Sequence, residues 1–481
     1  MKTYIAVCFG SASLAAVITL IVIRIAVALK VVNLPGVRDI HSKAIPRIGG
    51  IAIFLASMSL TIATLCLPNT IGSRFRDILP SIIVLLCSSS FIFFVGLIDD
   101  IYDLRAHQKL IAQITAAVIV CINGIRIESF GITDWYRAEL GWLSWPVTLL
   151  WIVGITNAVN LSDGLDGLAA GISAVACGTI SIFAIYTNQV IMAVLMLALL
   201  GSLTGFLLFN FNPAKIFMGD SGSQFVGFLI ATSSVMCATK AQTLVGLALP
   251  VLALGIPIID TLFAIVRRFL ERRSLFAPDR GHFHHRLLKM GLKQRHVVIF
   301  TYAVTLSAAG LGMFMMITQK ASTILVFVGV VILLLLVFRI AGSVKIGELI
   351  LSLKHKHTIT RELRQEDHHF EEAQLYMKEV QNFEQWWQAI CKAADKLDFL
   401  SIELPNDNGK ERRLIWHKNN GQNCSSNIMN VKIPIVDIEG KHKLNMEVDL
   451  EVNDSLESAG HRVSLLTRLM SENTSSIFPK S

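Results

Sequence analysis

Six aspartates stand where an apolar chain has little use for charge. Asp99, Asp100 and Asp103 follow the run Phe94-Val95-Gly96-Leu97-Ile98. Asp163 and Asp166 lie in the stretch from Asn157 through Asn160 to Gly167, and Asp220 lies in Phe217-Met218-Gly219-Asp220-Ser221-Gly222. Ionised groups at membrane depth are costly and are usually functional. A single aspartate of this kind reads equally well as a hydrated carboxylate at an interface, but six of them in three glycine-bearing loops on one side read as a site. Clustered carboxylates in water-accessible loops suit Mg²⁺, which takes hard oxygen ligands and usually bridges to substrate phosphates. The glycines at Gly164, Gly167, Gly219 and Gly222 permit close approach of a ligand. Mg²⁺ together with phosphate points to phosphoryl transfer, in which charge neutralisation and in-line positioning supply most of the catalysis.

Two further stretches add basic groups. Asp279-Arg280-Gly281-His282-Phe283-His284-His285-Arg286 packs three histidines into four residues. No thiolate or fourth local ligand completes a zinc site there. Hydrogen-bond donors to a pyrophosphate are the preferred reading, and a basic helix start is the plainer one. Arg267, Arg268, Arg272 and Arg273 nearby read as orientation signals and headgroup anchors. The stretch from Arg38 through His41, Lys43 and Arg47 to Gly49-Gly50 supplies cations on the same side, a weak signal taken alone.

The elements that must carry these loops follow from composition. Of the 481 residues 53% are hydrophobic and 16% charged, with a mean hydropathy of +0.58. A soluble domain carries about 25% charged residues, so the chain belongs in a bilayer. Apolar stretches long enough to cross one recur at 4–29, 48–67, 79–98, 108–122, 143–160, 168–187, 190–209, 222–239, 243–266, 297–317 and 321–340. The fold class expected is an all-α polytopic membrane protein of about eleven transmembrane helices over residues 1–340. The first stretch is too long for a secretory h-region and lacks a small-residue cleavage site, so it is kept as a membrane helix. Pro250 and Pro257 predict a kink or break in the ninth. The loops bearing the aspartates and histidines hold 14 Lys and Arg against 6 on the other side, which places the first set in the cytoplasm.

Residues 341–481 change character, with 18 basic and 21 acidic residues where the first 340 hold 25 and 14. A charged helical stretch at 359–397 is followed by alternating segments at 399–404, 413–417, 431–436 and 444–452, and by a helix at 459–469. This predicts a soluble cytoplasmic α+β domain. Its apolar stripe of Phe383, Trp386, Trp387 and Ile390 suggests a domain that folds alone and binds a cytoplasmic protein or a second copy of itself. The basic part argues against nucleic acid as a partner and for an anionic substrate. The eight cysteines lie far apart with no C-x-x-C pair and suggest neither zinc nor a disulfide framework.

The motifs His41-Ser-Lys43-Ala-Ile-Pro-Arg47-Ile-Gly-Gly50, Gly96-Leu-Ile-Asp99-Asp100-Ile-Tyr-Asp103, Asn157-Ala-Val-Asn160-Leu-Ser-Asp163-Gly-Leu-Asp166-Gly167, Phe209-Asn210 through Phe217 to Asp220-Ser-Gly-Ser223, and Asp279-Arg280-Gly-His282-Phe-His284-His285 occur in this order. So arranged, they resemble the polyprenyl-phosphate N-acetylhexosamine-1-phosphate transferases, the family of the WecA, TagO and MraY enzymes. The Asp-Arg before the histidines is more similar to the WecA and TagO branch. The resemblance covers about residues 1–340. It implies a Mg²⁺-dependent enzyme (Mn²⁺ a possible substitute) of the bacterial cytoplasmic, or inner, membrane. Such an enzyme transfers N-acetylhexosamine 1-phosphate from a UDP-sugar, with UDP-GlcNAc the expected donor, to undecaprenyl phosphate and releases UMP, the first step of a cell-envelope polysaccharide.

Carried over by residue, the resemblance implies Asp99 and Asp100 as the catalytic pair, joined by His282, His284 and His285. It implies Asp220 as the metal ligand, with Asp163 and Asp100 beside it. It places Lys109 on a phosphate, Asn157, Asn160, Asp163, Asp166 and Asn210 around the nucleotide, and Phe217 stacked on uracil. Arg280 and, with a local spacing that differs from the MraY form, Lys43 complete the substrate-binding set. Whether Asp99 removes a proton or forms a covalent phosphosugar intermediate stays open at this level. The alternative from another class is a cation- or proton-coupled transporter. Its carboxylates would sit near the bilayer midplane within spans, whereas these stand at span ends.

Overall fold

The computed structural model describes residues 2–28, 32–33, 45–67, 75, 78–133, 136–241, 244–270, 274, 281–318, 322–340, 366–378, 380–404, 414–418, 428–436, 442–452 and 456–473. The chain divides into two compact units, Met1–Lys345 and Ile346–Ser481.

The first unit is a bundle of apolar helices: α1 (Lys2–Ala28), α2 (Gly50–Cys66), α3 (Leu79–Tyr102), α4 (Ala106–Ile122), α5 (Ser144–Leu161), α6 (Leu168–Tyr186), α7 (Val190–Asn210), α8 (Gly219–Ala241), α9 (Leu244–Ala253), α10 (Gly255–Leu270), the short α11 (Phe283–Lys289), α12 (Gln294–Thr318) and α13 (Ser322–Ile340). In their described residues, the eleven apolar stretches lie mainly on helix. Among the described residues, seven helices are long and apolar enough to cross a membrane: α1, α3, α5, α6, α7, α8 and α12. The stretches in α2 and α4 are 17 residues each, and the ninth is divided at Leu254 into helices of 10 and 16 residues. Pro250 sits inside the first half and Pro257 in the first turn of the second, where a missing N–H costs nothing.

Packing follows side-chain size. The buried face of α1 is Val7, Ser11, Ala15, Thr19, Val22 and Ala26, one residue per turn and mostly small, while Ile5, Phe9, Val17, Leu20 and Ile21 face outward. That face rests on α7, where Gly201 and Gly205 lie so close that a Cβ would stand 2.1 Å from the Cys8 and Ala12 carbonyl oxygens. Two small residues four apart let helix backbones meet, which is how helices associate where lipid supplies no hydrophobic drive. Ser11 Oγ donates to the Ala198 carbonyl across the same seam. Helix α8 is the hub, packed by α2, α3, α5, α6 and α9, and its residues 221–238 are all buried.

The second unit is a four-stranded antiparallel sheet with helices. The strands are β5 (Phe399–Leu404), β6 (Leu414–His417), β7 (Ile428–Val436) and β8 (His442–Glu451), in the order β6-β5-β8-β7; the numbering allows for the short pairs β1 (Val32–Asn33) with β2 (Ile45–Pro46) and β3 (Ser129–Thr133) with β4 (Tyr136–Glu139) in the first unit. A helix at 366–378, then α14 (Phe383–Lys396) and α15 (Leu456–Asn473), supply the remaining apolar faces. Their core includes Phe370, Trp386, Ile390, Phe399, Ile402, Met446, Val448, Leu450 and Leu466. The helix expected over 359–397 is interrupted before Phe383, where Asn382 caps α14 by accepting from the Gln385 N–H at 2.9 Å. Trp386 and Ile390 are fully buried in this core, so the stripe that suggested a binding face is spent largely within the unit. Arg462, itself buried, ties α15 to the strands through the Glu451 and Asp398 carbonyls.

Candidate active site

Helix α8 begins at the site. Gly219 has φ +74°, and a Cβ there would stand 2.0 Å from the Arg47 carbonyl, so the tight entry to α8 requires glycine. The first three N–H groups of the helix, which have no partner within it, are taken by carboxylates from two other segments. Asp163 accepts from the Gly219 N–H. Asp100 Oδ1 accepts from the Asp220 N–H at 2.7 Å, and Oδ2 accepts from the Ser221 N–H at 3.0 Å and Ser221 Oγ at 2.6 Å. Both oxygens of Asp100 are thus committed to the helix start.

Asp99, one residue earlier and about 100° round α3, points elsewhere. Its Oδ1 accepts from the Leu104 N–H at 2.7 Å, and its Oδ2 lies 2.8 Å from Lys109 Nζ. The same ammonium is 2.9 Å from Asp220 Oδ2, and Asn160 Nδ2 donates to Asp220 Oδ1 at 3.0 Å and to Ser223 Oγ at 2.8 Å. Arg47 stands over the group at 3.7 Å from Asp100, 3.7 Å from Asp220 and 3.9 Å from Asp103. Asp103 closes α3 in the left-handed region at φ +49°. Asp163 sits in the loop after α5; burial, then the charges of Asp220 and Asp100, push its carboxyl up to about 7.

The loop bearing Asp166 is fixed by that residue, whose Oδ2 accepts from Asn212 Nδ2 at 2.9 Å and the Ala214 N–H at 3.1 Å. Asn210 holds the following turn by donating to the Ile216 carbonyl at 2.8 Å. Phe217 is held by its backbone, donating to the Pro46 carbonyl and accepting from the Gly49 N–H. Asn157 turns inward, its Nδ2 2.6 Å from Gln113 Oε1.

The histidines form a second group. Asp260 on α10 is buried; its Oδ1 accepts from the Phe283 N–H at 2.9 Å and its Oδ2 is 3.0 Å from His282 Nδ1. The His282 and His284 rings are parallel, with centroids 5.8 Å apart, and His285 is 4.4 Å from His284. His284 Nε2 abuts Gly164, which brings the group against the Asp163 loop. Burial and the neighbouring His285 push His284 down to about 3. Arg267 and Arg286 both donate to the Gly281 carbonyl, so Arg267 serves the start of α11. Lys43 and Arg280 lie outside the described residues.

Sequence reasoning missed Asp260, Arg47 and Asn212 as members of the site. Asp260 had a signal: it is the sole acid in the apolar ninth stretch. Arg47 was read only as one of several cations on that side, and Asn212 stood inside a quoted motif without a role.

Taken together, these features define a multi-pass helical membrane protein with a carboxylate–ammonium cluster gathered at helix ends. Residues 82–238 match the profile of glycosyl transferase family 4. The chain is 41% identical over 291 residues to the "Probable undecaprenyl-phosphate N-acetylglucosaminyl 1-phosphate transferase" of Bacillus subtilis strain 168, covering 60% of this chain and 78% of that protein. It is 36% identical over 299 residues to the decaprenyl-phosphate N-acetylglucosaminephosphotransferase of Mycobacterium leprae, covering 57% and 74%. To the phospho-N-acetylmuramoyl-pentapeptide-transferase of Bacillus subtilis it is 33% identical over 288 residues, covering 56% and 83%. The chain belongs to glycosyl transferase family 4, as a relative of its polyprenyl-phosphate sugar-1-phosphate transferases.

Proposed function

We propose that the protein transfers N-acetylglucosamine 1-phosphate from UDP-GlcNAc to undecaprenyl phosphate, giving the lipid-linked pyrophosphoryl sugar and UMP. The observation that carries this reading is the convergence of Asp99, Lys109, Asn160 and Asp220, from four helices, at one cluster in a member of this family. An oxygen of the lipid phosphate attacks the β-phosphorus of the nucleotide sugar, the bond to the bridging oxygen breaks, and UMP leaves in line. Asp99 takes the proton of a lipid phosphate that arrives protonated. Lys109 and Arg47 bind phosphate oxygens, and the histidine group approaches the same pyrophosphate from the Asp163 loop. Asp100 holds the Asp220 helix in place and is read as a positioning residue.

A divalent ion suits the donor set. Among the described residues no group of three or more Asp, Glu, His or Cys is arranged to hold a metal. Mg²⁺, however, is commonly held by one or two carboxylates, with substrate phosphates and water completing its shell. Asp220, whose side chain keeps 16% exposure, would hold it with Asp163 beside it. Bound there, Mg²⁺ or Mn²⁺ would supply neutralisation of the pyrophosphate charge.

The same reading takes all eleven apolar stretches as membrane crossings, with the site and residues 341–481 on the cytoplasmic side, as the loop charges suggest. Nothing in the family supports a transporter. The test uses membranes holding the protein, labelled UDP-GlcNAc or UDP-GalNAc, undecaprenyl phosphate and Mg²⁺. Label in the lipid fraction with matching UMP release, reversed by added UMP, is expected; label in lipid without UMP release would overturn the reading.

A further inference from the structure

One helical turn inward from the charged cluster lies a second, uncharged one built on three of its four helices. Gln113 follows Lys109 by four residues on α4, Gln224 follows Asp220 by four on α8, and Asn157 precedes Asn160 by three on α5. Residues three or four apart share a helix face, so each inner amide stands beneath one outer group. The inner three form a chain. Asn157 Nδ2 donates to Gln113 Oε1 at 2.6 Å, and Gln113 Nε2 donates to Gln224 Oε1 at 3.2 Å. Gln113 and Gln224 are 2% and 1% exposed, so bulk solvent does not reach their amides. The second Asn157 bond, to the Val153 carbonyl at 2.8 Å, fixes its rotamer from within α5.

We infer that the Asn157–Gln113–Gln224 chain is a positioning layer that sets the rotation of α4, α5 and α8 so that Lys109, Asn160 and Asp220 meet. An apolar seam would pack these helices over a range of rotations. A chain in which Gln113 must donate in one direction and accept in the other permits few, because a buried amide left unpaired is penalised. Gln113 is the link that no one-sided donor or acceptor can replace. A shift of about 1 Å in groups that bind a transferring phosphoryl can cost about a hundredfold in rate. The inference rests on the transfer reaction proposed above.

The test is steady-state transfer by the full chain in membranes, with thermal unfolding in detergent, for Gln113→Leu, Gln224→Met and the double variant. Expected are a kcat about tenfold to a hundredfold lower in each variant, with a KM for UDP-GlcNAc within about threefold of wild type; the single variants should also lose stability to the amide left unpaired, whereas the double variant, which removes both partners, should regain much of the midpoint and keep the low kcat. The double variant should be no slower than the worse single one, since either change breaks the same chain. A variant that fails to accumulate is replaced by Gln113→Met, which keeps length and volume. Wild-type kcat in the single variants, or a double variant in which kcat recovers together with the midpoint, would overturn the inference while leaving the reaction standing. Wild-type membranes without transfer would overturn the reaction and this inference with it.

Discussion

Asp99 and Asp100 are adjacent and chemically identical, yet their replacement by asparagine should fail in different ways. Asp100 has no side-chain exposure, and its two oxygens accept three hydrogen bonds from Asp220 and Ser221. An asparagine can present its oxygen to Ser221 only by turning its amide N–H₂ toward the Asp220 N–H, donor against donor. A charged hydrogen bond left unmade at a buried site costs about 1.5–3 kcal/mol, and loss of the negative charge at a helix N-terminus adds about 0.3–1 kcal/mol. Together Asp100→Asn should destabilise by about 2–4 kcal/mol, a midpoint loss on the order of 5–10 °C, and should retain part of its activity where folded. Asp99→Asn can keep its oxygen on the Leu104 N–H, and Lys109 keeps Asp220, but the new N–H₂ faces the Lys109 ammonium, so stability should fall by about 1–3 kcal/mol while transfer falls at least a hundredfold. The assay is a thermal unfolding series in detergent beside transfer measured in membranes. An Asp100→Asn protein with a wild-type midpoint and no transfer would refute the argument, because Asp100 would then be reacting and not holding α8.

Three other perturbations have expected outcomes. His284 is held at about 3 against an ordinary value near 6.5, so the unfolded chain binds the proton first; stability should be full above about pH 6.5 and fall by about 2 kcal/mol by pH 5, a slope that His284→Gln should flatten in a series of unfolding midpoints. Phe217→Ala should raise the KM for the UDP-sugar about tenfold with little change in kcat, since stacking on a base contributes alike in ground and transition states; a pure kcat defect would assign the ring to packing of the Asp220 loop. A chain cut after Lys345 should retain transfer in isolated membranes, and loss of transfer with insertion intact would show that the second unit completes the site.

Much of the helical unit was legible because one property, a long apolar run, dictates both helix and burial. The ninth stretch was marked for breakage by its prolines, and it breaks between them. Rotation about a helix axis was not legible. Asp99 and Asp100 read as one pair in sequence, and a 100° step sends one to Lys109 and the other to the start of α8. Asp166 and Asn210 read as polar groups around the nucleotide; that one Asp166 oxygen also accepts from Asn212 and the Ala214 N–H, and that Asn210 donates to the Ile216 carbonyl, emerges only once the loops are folded. Asp260 was hidden because its histidine partner lies 22 residues away across a loop. In the second unit, alternation placed β5 at its observed bounds, but no hydrophobic pattern announced the break that Asn382 caps.

The enclosure of α8 has a consequence for how the protein is made. Of the seven helices fit to cross a membrane it is the least apolar, and it carries Ser221, Ser223, Gln224, Thr232, Ser233 and Ser234 along a surface that is wholly covered by its neighbours. Such a segment gains little from lipid when it emerges from the ribosome. Its neighbours α2, α3, α5 and α6 are all synthesised earlier, so the socket that receives it precedes it in the chain, while α9 follows to close the remaining side. Insertion of this helix is thereby coupled to the assembly of those before it. A defect that loosens an early helix should surface as a failure to thread the eighth, with Asp220 stranded on the wrong side of the bilayer.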